Sequence, residues 1–448
     1  MSNVLLRGAR IVDPASGRDE VADLLVQNGR VAAIGPELRA IDGAETVDAA
    51  SKILVPGFID LHCHLRDPGL TYKESIASGG RAAAAGGFTT ICCMPNTDPP
   101  IDSRGIVEYV MRTAAVDSPV RVLPIGAVTK GQAGKELAEL GELAEAGAVA
   151  FSDDGKPVAT ATLMRHALEY SRITGRPVID HCEDLGLSGG APANEGAVAA
   201  RLGLRGWPAA AETIAIARDL ELVALTGGRL HLAHVSTAGG VALLRQAKQN
   251  GLPVTAEVTP HHLTLTDDWL LGDNLRWPAT SDRRVDPRPP YDTRTKVNPP
   301  LRTRADVEAL LAALADGTID AIATDHAPHA IIDKLCEYDA AAFGISGFET
   351  ALGALLALEA TGALSLSRLI EALTSGPLAV LGELDGRSSP GRLTIGSPAD
   401  LVLFDPAAEW TVDPERFLSK GKNTPLDGVR LRGRVVLTLV EGKVAYRA

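Results

Sequence analysis

Near both ends of the chain, apolar and polar positions alternate over short runs broken by turn residues. Val4-Leu5-Leu6 and Ala9-Arg10-Ile11-Val12 come first, then Ala22 to Val26, an Asn28-Gly29 pair, and Arg30 to Ile34. Period-two alternation marks half-buried strands, and Asn-Gly between two such runs marks a hairpin, because its tight turn needs positive φ. Ala399 to Phe404, Val435 to Val440, a turn at Glu441-Gly442 and Lys443 to Tyr446 have the same texture. The two ends therefore predict one small β domain assembled from both termini.

Between them the pattern changes to short apolar runs alternating with Ala/Leu/Glu-rich stretches of helical spacing. Predicted strands are Phe58 to His64, Thr89 to Met94, Val120 to Ile125, Ala148 to Ser152, Pro177 to His181, Leu230 to Val235, Pro253 to Val258 and Ile319 to Thr324. Helical periodicity follows most of them, as in Lys135 to Ala146, Ala161 to Tyr170, Ala211 to Leu222, Gly240 to Gln249 and Arg304 to Ala315. Roughly eight parallel strands alternating with helices predict an α/β fold, a (β/α)8 TIM barrel. No Gly-x-Gly-x-x-Gly turn follows the first strand, which argues against an open dinucleotide-binding sheet. The expected division is 1–54 and 391–448 for a β-sandwich domain and 55–390 for the barrel. Residues 276–301, rich in Pro, Arg and Asp, are long for a barrel connection and read as a lid, a partner surface or disorder. Residues 330–343 read as a second loop over the mouth.

A formal net charge of −12 and a pI near 5.4 argue against nucleic acid or an anionic membrane as the main partner. No apolar run is long enough for a membrane span and no leader pattern opens the chain, so a soluble cytoplasmic protein is expected. The odd cysteine count has no disulfide-framework spacing. Cys63, Cys92, Cys93, Cys182 and Cys336 all read as small buried hydrophobes.

A barrel places its chemistry just past the C-terminal ends of its strands, and polar residues gather there. The first strand runs into His62-Cys63-His64-Leu65-Arg66, where period two would aim both imidazoles and the guanidinium from one face. The second runs into Met94-Pro95-Asn96-Thr97, the fourth into Ser152-Asp153-Asp154-Gly155, and the fifth into Asp180-His181-Cys182-Glu183. The sixth ends at His234-Val235-Ser236, the seventh at Thr259-Pro260-His261-His262, and the eighth at Thr324-Asp325-His326-Ala327-Pro328-His329. His166 and His231 read as structural. A paired metal site needs a bridge between ions roughly 3.5–4 Å apart. His62 and His64 with Asp325 would make one side, His181 and His234 the other, and Asp153 or Asp154 the bridge.

The His-x-His-x-Arg after Pro56-Gly57-Phe58-Ile59-Asp60, the Met-Pro-Asn-Thr, the Asp-His-Cys-Glu, the Ala233-His234-Val235-Ser236, the Asn298-Pro299-Pro300-Leu301-Arg302 and the Thr-Asp-His-Ala-Pro-His together resemble the dihydroorotases of the amidohydrolase superfamily. The resemblance covers nearly the whole chain. Many relatives bridge their metals with a carboxylated lysine; Phe151-Ser152-Asp153-Asp154-Gly155 looks instead like the type I members, which use aspartate. The motif match puts the bridge on Asp154, with Asp153 as runner-up and Lys156 as a surface charge. The resemblance implies one or two zinc ions, the binuclear site favoured, on His62, His64, Asp154, His181, His234 and Asp325. Asp325 would also be the general acid/base for a metal-bound hydroxide. Arg66 and Asn96 would hold the substrate carboxylate, Asn298 and His329 would meet the polar edge of the ring with the Phe343-Gly344 backbone beside it, and His64 would also touch substrate. The implied reaction is reversible cyclisation of N-carbamoyl-L-aspartate to (S)-dihydroorotate in pyrimidine (UMP) biosynthesis, by a homodimer or higher homo-oligomer.

Two other readings are weighed against it. A hydantoinase- or allantoinase-like cyclic amidase predicts a lysine bridge and does not require the clamp of Arg66 and Asn96. A non-catalytic dihydroorotase-like scaffold of aspartate carbamoyltransferase predicts lost ligands, whereas all six stand in place here. Partnership of an active enzyme with that transferase leaves no motif and stays open.

Overall fold

The structure, a computed structural model, describes residues 3–273, 275–382 and 391–448. Strands from both ends of the chain form one eight-stranded sheet. In order across it run Lys443–Arg447, Arg430–Val440, Leu401–Thr411, Ile53–Pro56, Val4–Asp13, Arg18–Gln27 and Arg30–Gly35, with Glu45–Asp48 pairing parallel to Val4–Asp13 off that path. Asn28 and Gly29 make the expected turn at φ 52° and 79°. Inward positions such as Leu6, Ile11, Leu24, Leu54, Leu401, Leu403 and Leu437 meet in one buried cluster, so the termini share a core. Ile53–Pro56 spans the division drawn at 54/55, and that drawn at 390 lies outside the described residues.

The middle of the chain supplies a ring of parallel strands. Phe58–Cys63, Phe88–Cys93 and Arg121–Pro124 pair in one run; Val178–Asp180, Leu230–Leu232, Val254–Val258 and Ala321–Ile322 pair in another. The expected fourth strand, Ala148 to Ser152, makes isolated bridges from Phe151 to Gly126 and Val178 rather than a ladder, yet it occupies its place. Val149 donates to the Pro124 carbonyl at 3.0 Å, Ser152 to that of Gly126 at 2.9 Å and Phe151 to that of Pro177 at 3.1 Å. On the other side Cys63 bridges His326, and the buried Asp60 carboxylate takes the Thr324 N–H and hydroxyl, both at 2.7 Å. These contacts join the two runs into the (β/α)8 barrel, with the sandwich domain packed against it.

The helices Ala161–Thr174, Ala210–Thr226, Ala238–Gln249 and Arg304–Ala315 follow the predicted periodicities. The helix expected from Lys135 starts only at Leu140. The residues before it are drawn into a small hairpin, where Lys130 N–H donates to Glu136 O and Ala138 N–H to Val128 O, both at 2.9 Å. Residues 276–301 are packed at both ends, 277–279 and 295–297 being buried, while most of 282–291 is exposed. Trp269, Leu275, Trp277 and Val297 share a buried cluster with Tyr338, Val412 and Leu431, while Arg283 and Arg288 lie over the Trp277 and Trp269 rings at 5.6 and 5.3 Å. Two tryptophans and their cation–π partners hold a stretch that shows no periodicity. Four cysteines are buried as expected, but Cys336 is exposed because it falls in the turn of the mouth loop rather than on a strand. Among the described residues no helix is long and apolar enough to cross a membrane.

Candidate active site

The strand ends deliver their side chains to one cavity of about 270 Å³. Asp154 lies at its floor. Its Oδ1 is 3.4 Å from His62 Nε2, 3.5 Å from His181 Nδ1 and 3.6 Å from His234 Nε2, and its Oδ2 is 3.5 Å from His64 Nε2. Asp325 Oδ1 completes the first side at 3.1 Å from His64 Nε2 and 3.6 Å from His62 Nε2. On the second side His181 Nδ1 and His234 Nε2 are 3.0 Å apart. Asp153 turns away, its carboxylate accepting the Thr129 N–H at 3.0 Å and hydroxyl at 2.5 Å, and Lys156 reaches the Gln132 carbonyl instead. Larger cavities lie elsewhere, one of about 560 Å³ between barrel and sandwich, but the ligating groups assemble here.

The outer nitrogens of the imidazoles decide what the inner ones can do. His62 Nδ1 is 2.8 Å from Glu257 Oε1, His181 Nε2 is 3.0 Å from Glu183 Oε2, and His64 Nδ1 is 2.8 Å from Asn96 Oδ1. Those partners only accept, so each outer nitrogen carries the proton. With the proton held outside, a neutral ring would turn a lone pair inward toward the two carboxylates. Of the inner atoms His64 Nε2 and His181 Nδ1 find partners in Asp325 and His234, whereas His62 Nε2 and Asp154 Oδ1 are buried without a hydrogen-bond partner. Imidazole with carboxylate is a donor set that could hold a divalent metal, and His62, His64 and Asp325, and His62, Asp154 and His234, stand close enough to do so.

By themselves the groups hold protons: against burial, Asp154 and the outer carboxylates raise His62 well above the usual imidazole range and His181 to about 10. Burial alone would raise the Asp154 and Asp325 carboxyls, but the facing imidazoles outweigh it and hold both below the usual carboxylate range. Glu257 is likewise drawn down to about 2, by hydrogen bonds to His231 and His62 acting against burial. Burial and then Arg66 push His64 down, so its contact with Asp325 is not a simple ion pair.

Arg66, Asn96, Asn298, His329, Phe343 and Gly344 line the same cavity, Asn96 touching the cluster through His64. Arg66 does not arrive by strand alternation. The strand ends at Cys63, and Arg66 sits at φ 60° in a turn, its Nε 3.4 Å from the Pro328 carbonyl and its Nη2 3.3 Å from His329 Nε2. His234 and Asp325 also have positive φ, 30° and 44°; non-glycine residues tolerate this only where the surroundings enforce it, as at functional sites. Burial, then Arg66, Lys334 and Lys73, push His329 down to about 2. The neutral ring donates Nε2–H to the Phe343 carbonyl at 2.8 Å and accepts from Lys73 at Nδ1, 3.4 Å away.

Sequence reasoning missed the outer supports. Glu257 lies within the strand Val254–Val258, and a fully buried glutamate in an apolar strand is a signal that a partner must exist. His231, read as structural, is that second partner, 3.1 Å from Glu257 Oε2. Glu183 stands in a quoted motif but carries no assigned role. His326 points away from the cavity and stacks on Phe348 at 4.2 Å, and His166 is exposed on its helix.

Comparison with known proteins places this site in a lineage. A family model described as dihydro-orotase-like matches residues 51–239. A dihydroorotase of Anaeromyxobacter dehalogenans is 51% identical over 447 residues, covering 100% of this chain and 98% of that one. The chain belongs to the dihydroorotase family. Another dihydroorotase, from Citrifermentans bemidjiense, is 48% identical over 446 residues, covering 100% of each. Among solved structures, the L-hydantoinase (dihydropyrimidinase) of Arthrobacter aurescens superposes with a TM-score of 0.85 at 28% identity, covering 100% of this chain and 96% of that one. Dihydroorotases and hydantoinases are cyclic amidohydrolases, and so is this chain; the hydantoinase alternative has the weaker support, with far lower identity.

Proposed function

We propose that the chain interconverts N-carbamoyl-L-aspartate and (S)-dihydroorotate, using divalent zinc held by His62, His64, Asp154, His181, His234 and Asp325. The observation that carries this reading is that His62 Nε2 and Asp154 Oδ1 are buried without a hydrogen-bond partner, beside a cavity that Arg66, 8% exposed, also lines. Zinc bound there would supply a Lewis acid for the amide carbonyl and lower the pKa of a water.

The protein's own groups do the rest. Arg66 offers a planar fork to the substrate carboxylate, with the Asn96 amide beside it. Asn298, His329 and the Phe343-Gly344 backbone line the ring's polar edge. In ring opening Asp325 accepts one proton of the attacking water and passes it to the departing ureido nitrogen, the new carboxylic acid releasing its own proton to solvent. In closure Asp325 carries the proton from that nitrogen to the departing oxygen, which leaves as water with a second proton from solvent. The depressed Asp325 carboxyl suits a base that must be ionised before it acts. We read the chain as a cytoplasmic enzyme of pyrimidine biosynthesis, divided at 1–54, 55–390 and 391–448 and working as a homo-oligomer, with aspartate carbamoyltransferase as a candidate partner.

The test is turnover of both carboxylated substrates by metal-analysed protein, with hydantoin, dihydrouracil and allantoin alongside. Selective turnover of the carboxylated pair is expected. Activity on the uncharged rings alone would overturn the role of Arg66, and inactivity with zinc bound would favour the scaffold.

A further inference from the structure

Residues 417–426 cross the barrel mouth between two strands of the sandwich, and there Asn423 is buried, 4% exposed. Its side-chain amide uses its full capacity. Oδ1 accepts the His329 N–H at 2.9 Å and lies 2.9 Å from the Ser346 hydroxyl; Nδ2 donates to the carbonyls of Ala327 at 3.1 Å and Gly344 at 2.9 Å. Its main-chain carbonyl also accepts the Ser346 N–H at 3.0 Å. With both carbonyls at one end and an N–H at the other, the amide has a single orientation. The two loops it joins are those that carry His329 and Gly344.

The backbone contacts say the same independently. A Cβ on Gly421 would stand 2.4 Å from Pro328 Cβ, and one on Gly344 would stand 2.6 Å from the Ala327 carbonyl and 3.1 Å from His329 Cδ2. The crossing segment and both loops therefore stack with no room for a side chain between them. Ser419 anchors the near end of the segment through its hydroxyl on Glu74, at 2.6 Å.

We propose that Asn423, supplied by the C-terminal part of the chain, is a positioning residue for substrate recognition: it fixes His329 and the Gly344 backbone relative to one another at the ring edge. It does not line the cavity, so it acts through them. The proposal rests on reading His329 and Gly344 as substrate-facing.

The experiment is steady-state kinetics with dihydroorotate on zinc-loaded protein of verified fold. Asn423→Asp keeps the shape but sets an oxygen against two carbonyls; KM should rise roughly ten- to a hundred-fold with kcat and zinc content little changed. Ser346→Ala, which removes one contact to the same amide oxygen, should give a smaller rise. Lys422→Ala, in the same segment but donating to the Phe417 carbonyl, should give none. In a His329→Ala background Asn423→Asp should add less than it does alone. An unchanged KM in folded Asn423→Asp overturns the proposal, as does an equal rise in Lys422→Ala. If Asn423→Asp does not fold, an unchanged KM in Ser346→Ala overturns it. If His329→Ala itself leaves KM unchanged, the substrate-facing reading has failed, and the proposal falls at its premise.

Discussion

The His/Asp cluster and the loops that carry His329, Phe343 and Gly344 share one cavity but are held by different kinds of contact. Each of three imidazoles in the cluster leaves a strand end and is pinned from behind by one acceptor: Glu257 for His62, Glu183 for His181, Asn96 for His64. His329, Phe343 and Gly344 lie on connections with no strand beneath them. Lys73 on His329 and Asn423 on both loops reach them from far along the chain, and Lys334, within the mouth loop itself, sets its Nζ 3.1, 3.2 and 2.6 Å from the carbonyls of Thr293, Lys296 and Ala342. The barrel fixes the first set by its own closure; the second is assembled by side chains capping main-chain oxygens. Damage to the first should therefore appear in metal affinity and turnover, and damage to the second in KM.

The largest effect tests the cluster at Asp325. Asp325→Ala is expected to lower turnover in both directions by at least about a thousand-fold with the circular dichroism spectrum unchanged. Substantial residual activity would remove Asp325 from the proton path. Next comes Glu257→Gln, which leaves one acceptor for two imidazoles. Zinc affinity, read by competition with a chelator, should fall about ten- to a hundred-fold, whereas KM measured at saturating zinc should hold. An unchanged affinity would mean that His62 is oriented by the barrel alone, and the distinction between the two sides would lose its physical basis.

The same difference explains what could be read from the chain. The residues of the His/Asp cluster were legible because strand ends are: an apolar run ending in His or Asp announces both the element and the place where it stops. The supports were harder to see. Glu257 and His231 pair across neighbouring strands, and a pattern along one strand does not show its neighbour's register. Arg66 reached the cavity by a different route from the one its spacing implied, since a left-handed turn at φ 60° replaces strand alternation. The 276–301 stretch defied periodicity because buried tryptophans, not a repeating face, hold it. Asn423 carries no local signal at all: its partners stand roughly eighty to a hundred residues away, and only the fold brings them within reach.

Smaller effects test the loop side. Arg66→Lys replaces a planar fork with a point charge and should raise KM for dihydroorotate roughly ten-fold while leaving zinc affinity intact; an unchanged KM would break the carboxylate clamp. The smallest concerns Lys334, which burial, and then Lys296, lower from 10.5 to about 7. Between those values the unfolded chain holds a proton that the folded one does not. Stability contributed by this group is therefore full above pH 10.5, is lost as pH falls towards 7, and changes by at most about 1.4 kcal/mol per pH unit. Urea unfolding of the wild type and Lys334→Met at pH 7, 8 and 9 isolates it, since the variant keeps every other titrating group. The wild type should gain stability with pH relative to the variant. Parallel profiles would mean that the ammonium keeps its proton on the three carbonyls throughout, making the loops around Phe343 as firmly held by charge as the cluster is by its carboxylates.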